Sequence, residues 1–194
     1  MSAPVTLSVI RDEHQALSAL LQSLAMLVRQ GPGDDANRFF DSVRAMLFYI
    51  DEFPERIHHP KESDQLFPRV ALRSPQTCPA IARLDQDHQR GEAAVRELQH
   101  LLLAWELLGE GRRAAFTEAL ARYVGFYLEH MRIEERDILP AAEATFTAQD
   151  WSELDQDFGA NRDPLTGRYP PTAQYAKLFQ RIAREAPAPI GLGD

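Results

Sequence analysis

The stretch "FPERIHHPKESDQLFP", residues 53–68, puts two adjacent histidines and a glutamate into what the apolar spacing marks as the buried seam of a helix. An unpaired ionisable group in such a seam costs several kcal/mol, so His58, His59 and Glu62 need a partner that leucine would not. Upstream, Phe39, Val43, Leu47, Ile50 and Ile57 carry the same stripe back to the breaker "GPGDD" at 31–35. Pro54 and Pro60 lie inside the helix. Each removes a backbone donor and clashes with the preceding turn, which predicts a kink or a local widening beside the histidines.

The same intrusion recurs along the chain. Leu7, Ile10, His14, Leu17, Leu21, Leu24 and Val28 form a first amphipathic helix with a histidine at a leucine position. After the loop "RSPQTCP" at 73–79, with Thr77 as N-cap, a third helix carries Ile81, Leu84, His88, Val95, Leu98, Leu102 and Trp105. "GEG" at 109–111 ends it, and a fourth carries Phe116, Leu120, Tyr123, Tyr127, His130, Glu134 and Ala141. "DEHQAL" at 12–17 answers "QDHQRG" at 86–91, and "HHPKESDQLFP" at 58–68 answers "HMRIEERDILP" at 130–140. Repetition of the polar positions argues for one shared site.

These patterns predict an all-α fold: an up-down-up-down four-helix bundle over residues 1–146, with a helical and irregular C-terminal extension over 147–194. In the extension, Thr147 and Asp150 suggest a capping box for a helix to about Phe158. The turn-rich "NRDPLTGRYPP", a helix over 173–185 and "PAPIGLGD" follow. In the bundle, His14 and His88 fall early in their helices and His58 and His130 late, so antiparallel packing brings all four to one end. Glu62 and Glu134 each follow a histidine by four residues and share its helix face. Six buried ionisable groups in one layer are reconciled by a bound cation. Imidazole and carboxylate donors without thiolate suit iron, manganese or zinc, and two carboxylates between facing helices can bridge a metal pair.

Composition narrows the class. The 194 residues are 44% hydrophobic and 26% charged, with a formal charge of -8 that repels nucleic acid. Cys78 is alone, which gives neither a disulfide framework nor a cysteine metal site. "MSAPVTLSVIRDEH" lacks the basic and apolar runs of a secretory signal, and charges interrupt every apolar segment short of a membrane span. The expectation is a cytoplasmic protein without a membrane partner; no protein partner is indicated.

The spaced "DEH", "HHPKE", "DH" and "HMRIEE" elements, with "LFP" and "ILP" closing the second and fourth helices, resemble the hemerythrin-like HHE cation-binding family over about residues 5–145. The resemblance implies a non-haem, usually di-iron centre with a bridging oxo or hydroxo group. By motif it places metal ligands at His14, His58, Glu62, His88, His130 and Glu134. It implies binding or sensing of a small diatomic or peroxide ligand, such as dioxygen or nitric oxide. An oxidoreductase acting on peroxide or Fe(II), and an iron storage or delivery protein, are the alternatives. Oxygen carriers of the family have an H-x-x-x-H pair on the third helix, where this chain has His88 and Glu92. Either Glu92 supplies a carboxylate or His59 restores a fifth imidazole, and His59 joins the candidate ligands. Glu135 competes with Glu134, a choice that a π-bulge can reverse. His100, about 120° around the helix from His88, should be an ordinary polar residue. Tyr49, Tyr123 and Tyr127 are candidates for the pocket wall or the core.

Overall fold

A computed structural model of the chain describes residues 4–168 and 170–193. Residues 1–3 lie outside the described residues, as do Tyr169 and Asp194 from the two turn-rich stretches noted above. The described chain is all-helical, with α1 at Val5–Gln30, α2 at 36–73, α3 at Cys78–Leu108, α4 at 113–145, α5 at Ala148–Phe158 and α6 at Ala176–Glu185. Gly31 (φ 82°) and Gly109 (φ 85°) end α1 and α3 in a backbone region that side chains with a Cβ avoid. The Asp35 carboxylate caps α2 by accepting from the Arg38 N–H at 3.0 Å. Thr77 does not cap α3, because its hydroxyl donates backward to the Ser74 carbonyl at 2.7 Å. The Thr147–Asp150 capping box opens α5. α6 starts at Ala176 rather than 173, after a turn in which the Tyr175 N–H reaches the Thr172 carbonyl.

α2 and α4 are continuous but not uniform. π-helical turns span Asp51–His58 and Glu62–Leu66 in α2 and Glu134–Ile138 in α4. Their signature is an N–H reaching back five residues: His59 to Pro54, Phe67 to Glu62 and Leu139 to Glu134. Pro68 and Pro140, each six residues past its glutamate, stand directly after the last two donors. A proline lacks its own N–H and crowds the carbonyl four residues back, and widening the turn before it relieves that clash.

α1 packs on α2 and α4, and α3 packs on the same two helices. Arg113 at the start of α4 donates to the Val28 carbonyl near the end of α1, while His14 meets Glu135 late in α4, so α1 and α4 run in opposite directions. Two apolar clusters result. One contains Leu24, Phe39, Trp105 and Phe116; the other contains Ile10, Phe67, Leu84 and Ile138. α5 adds Leu154 and Phe158 to the second cluster, and Asp155 accepts from the Thr6 N–H and hydroxyl at 2.8 and 2.7 Å. α6 adds Phe179 and Ile182 to the first. On α1, α3 and α4 the polar positions fall between members of the two clusters: His14 between Ile10 and Leu17, His88 between Leu84 and Val95, His130 between Tyr127 and Ile138.

Candidate metal centre

Each helix of the bundle brings its polar residue to that interlayer because the helical repeat keeps it on the core-facing stripe. None of the five imidazoles of His14, His58, His59, His88 and His130 is more than 9% exposed, and Glu62 and Glu134 are at 0% and 1%. Two groups of donor atoms form, each with its atoms within 4.8 Å of one another: His59, Glu62, His88 and His130 in one, His14, His58 and Glu62 in the other. Glu62 belongs to both. Glu134 stands 3.2 Å from His14 Nε2 and 3.2 Å from His130 Nε2, linking the same two groups.

The outer ring nitrogens are held from behind. Glu13 faces His58 Nδ1 at 2.6 Å, Glu55 faces His59 Nδ1 at 3.2 Å, and Glu135 faces His14 Nδ1 at 3.1 Å. Ser63 Oγ donates to Asp85 at 2.7 Å, so it accepts from His88 Nδ1–H at 2.8 Å. An acceptor behind Nδ1 puts a proton there and leaves Nε2 as the nitrogen available to a metal, an arrangement that raises ligand basicity and fixes ring orientation. Glu55 is itself held by the hydroxyls of Tyr127, in a short contact, and Tyr123, at 3.3 Å. Gly91 on α3 makes room for this group: a Cβ there would lie 2.2 Å from the Tyr127 hydroxyl and 3.0 Å from Glu55 Oε1.

Do these residues fit a cation? His58 Nε2, both oxygens of Glu62 and both of Glu134 are buried and form no aligned hydrogen bond within the described residues. Yet His58 Nε2 is 3.1 Å from Glu62 Oε1 and His88 Nε2 is 3.5 Å from Glu62 Oε2. Donors that crowd to this spacing without aligning on one another are what a shared ion produces. Bonds of about 2.0–2.2 Å at tetrahedral or octahedral angles set neighbouring ligand atoms roughly 3.0–3.5 Å apart. The donor set therefore fits.

The electrostatics point the same way. Burial opposes a charge on His14, but contacts with Glu134 and Glu135 outweigh it and raise its pKa to about 9. His58 and His130 are likewise raised against the cost of burial, mainly by Glu62 and Glu134 respectively. Burial works against the charge of Glu134 too, and His130 and His14 hold it well below the ordinary carboxylate value. Burial and the neighbouring His88, His58 and His130 push His59 down. The buried carboxylates call for positive charge, which protons on imidazole provide when no metal does. Beside His14, His58 and His59 lies a small, partly open cavity of about 20 Å³, lined also by Phe53, Met131 and Asp163, with room for about one water-sized group.

All seven sequence-derived candidates, His14, His58, His59, Glu62, His88, His130 and Glu134, thus come together in one buried layer. Glu92 does not join them: it is exposed and paired with Arg96. The π-turn of α4 begins at Glu134, which keeps that residue inward and sends Glu135 to the outer nitrogen of His14. His100 is exposed. Tyr123 and Tyr127 back the layer through Glu55, whereas Tyr49 turns away to donate to Asp163 at 2.5 Å. Reasoning from sequence missed Glu13, Glu55, Ser63 and Asn161. Glu55 carried a local signal, since it stands four residues before His59 on one helix face, and Glu13 lies inside the "DEH" element.

A helical fold with a buried histidine–carboxylate layer defines a cation-binding helical protein. The family model described as hemerythrin HHE cation binding domain matches residues 5–142, and the chain belongs to that family, whose domain implies non-haem metal binding. No curated protein and no solved structure gives a match.

Proposed function

We propose that the chain holds a pair of iron ions with a bridging oxygen and uses it to bind or sense a small diatomic or peroxide ligand. His14 and His58 serve one ion, His59, His88 and His130 serve the other, and Glu62 and Glu134 reach both. The observation that carries this reading is the pair of donor groups sharing Glu62. Zinc and manganese suit the same nitrogen and oxygen donors and are the alternatives. When bound, the metal pair would supply a redox-active, exchangeable position. The chain's own residues do the rest: Glu13, Glu55, Glu135 and Ser63 orient the imidazoles, and the small cavity beside His14 and His58 suits a small ligand.

The reading includes an up-down-up-down bundle over residues 1–146, supported by the opposed directions of α1 and α4, and a C-terminal extension over 147–194 packed on that bundle, supported by the burial of Leu154, Phe158, Phe179 and Ile182 in its two apolar clusters. It also includes a cytoplasmic setting, for which the lone, exposed Cys78 speaks. No helix among the described residues is long and apolar enough to cross a membrane.

A second reading, an oxidoreductase acting on peroxide or Fe(II), draws on the buried Tyr127–Glu55–His59 chain, because hydrogen-bonded groups behind a ligand can carry a proton. Elemental analysis of protein purified without added metal tests the assignment. Two irons per chain are expected, falling sharply in His58→Ala and Glu62→Ala; unchanged metal content in both variants would remove the site. A reversible spectral change with oxygen and no product separates binding from steady peroxide turnover.

A further inference from the structure

The extension that follows the family-matched stretch reaches back into the metal layer. Asn161 is 3% exposed, and its side-chain amide donates to both oxygens of Glu13, at 3.0 and 3.1 Å. Glu13 Oε2 in turn faces His58 Nδ1 at 2.6 Å. The orientation of the amide follows from its other neighbour. Lys61 Nζ, which can only donate, makes a short contact with Asn161 Oδ1 and also donates to the Asp157 carbonyl at 2.7 Å. Lysine therefore holds the oxygen, and the nitrogen is left to face Glu13.

We infer that Asn161 is a positioning residue for His58, acting through Glu13, so that the extension is a working part of the metal centre. The inference rests on the metal reading above. Its chemistry is specific to an amide. A carboxylate accepting only from His58 can swing about its last torsion, and an amide N–H group shared between its two oxygens pins it. A neutral donor pins it without neutralising the negative charge that keeps the proton on Nδ1 and the lone pair on Nε2. An aspartate at 161 would keep the volume and the Lys61 contact but would present oxygens to Glu13, and an alanine would present nothing. The neighbouring Asp163 anchors the segment independently, accepting from Tyr49 at 2.5 Å and from the Leu165 N–H at 2.9 Å. Loss of the Asn161 amide therefore leaves the strap attached.

The test is a zinc titration of the metal-free full chain in competition with a chromophoric chelator, run on wild type, Asn161→Asp, Glu13→Ala and the double variant. Outer partners of metal ligands are worth about 10–100-fold in affinity, so Asn161→Asp and Glu13→Ala should each weaken zinc binding about tenfold or more. Because Asn161 acts through Glu13, adding Asn161→Asp to Glu13→Ala should change affinity by less than about twofold. Affinity of Asn161→Asp within about twofold of wild type, or an equal loss in both backgrounds, would overturn the inference. Asn161→Ser, uncharged and smaller, repeats the measurement if the aspartate variant does not fold: a similar loss supports the role and none removes it. A wild type that takes up no zinc would remove the metal reading and this inference together, a result distinct from a wild type and Asn161→Asp that bind alike.

Discussion

Two layers stacked along the same helices are built on opposite principles. Around Trp105, which packs against Phe39 and Phe40 with ring centroids 5.3 Å away and against Phe116 at 5.8 Å, every group gains by leaving water. Around Glu62 and His58 the groups lose hydration, and no aligned hydrogen bond among the described residues repays the two Glu62 oxygens. The first layer gains from burial alone. The second is tolerated because it is sandwiched between two apolar clusters, and it is completed by charge from outside the chain. Stability and function are thus separated along the helix axis.

Breaking the apolar layer around Trp105 should have the largest effect. Trp105→Ala is expected to cost about 3–5 kcal/mol of unfolding free energy, equally with and without metal, measured by denaturant unfolding. Glu62→Gln should reverse that pattern. Metal affinity should fall by about two orders of magnitude, roughly 2.7 kcal/mol, while the metal-free protein unfolds close to wild type. If the metal-free variant lost as much stability as Trp105→Ala, the polar layer would be a structural device and the contrast between the layers would collapse.

The strap beside the layer provides a pH test. Burial raises the Asp163 pKa from 3.8 to about 6, against the pull of the Tyr49 and Leu165 hydrogen bonds. A raised carboxyl pKa means that the folded state binds the proton more tightly than the unfolded chain. The contribution of this group is therefore fully present below about pH 4 and is lost as pH rises through about 6. Relative to wild type, metal-free Asp163→Asn should gain about 2–3 kcal/mol between those limits. A constant gap across the range would show that Asp163 titrates normally.

Gly91→Ala sharpens the comparison at one residue. On helix propensity the change should stabilise by about 1 kcal/mol. The new methyl would instead meet the Tyr127 hydroxyl at 2.2 Å, and a net loss of about 1–3 kcal/mol in thermal or denaturant unfolding is expected. The smallest effect belongs to His100→Ala, an exposed histidine outside the layer, which should leave metal content unchanged and stability within about 0.5 kcal/mol.

Much of this centre was readable from sequence. His14, His58, His88 and His130 interrupt apolar stripes at core positions, and a stripe position points inward whatever the partner helix is. Glu62 and Glu134 follow by the geometry of a single helix turn. The widening of α2 was foreshadowed by Pro54 and Pro60, because backbone donors and sterics are local properties, whereas that of α4 emerged only in the structure. His59 was left open by its position about 100° from His58, and packing settled its direction: its ring stacks on His88 with centroids 4.3 Å apart. Glu92 and Glu135 stood as alternatives to His59 and Glu134 in one dimension, and only the neighbouring helices distinguished a solvent-facing carboxylate from one that holds His14.

By itself, then, the amino-acid sequence determined an all-helical chain, its four histidine-bearing stripes and the cation-binding chemistry that their donors share. Periodicity, capping and donor type are properties of a residue and its near neighbours. The tertiary structure decided which carboxylate stands behind which imidazole, and that Asn161 bonds to Glu13 across 148 residues of chain. Those pairings depend on where separate helices meet, a distance in space that no spacing along the chain encodes.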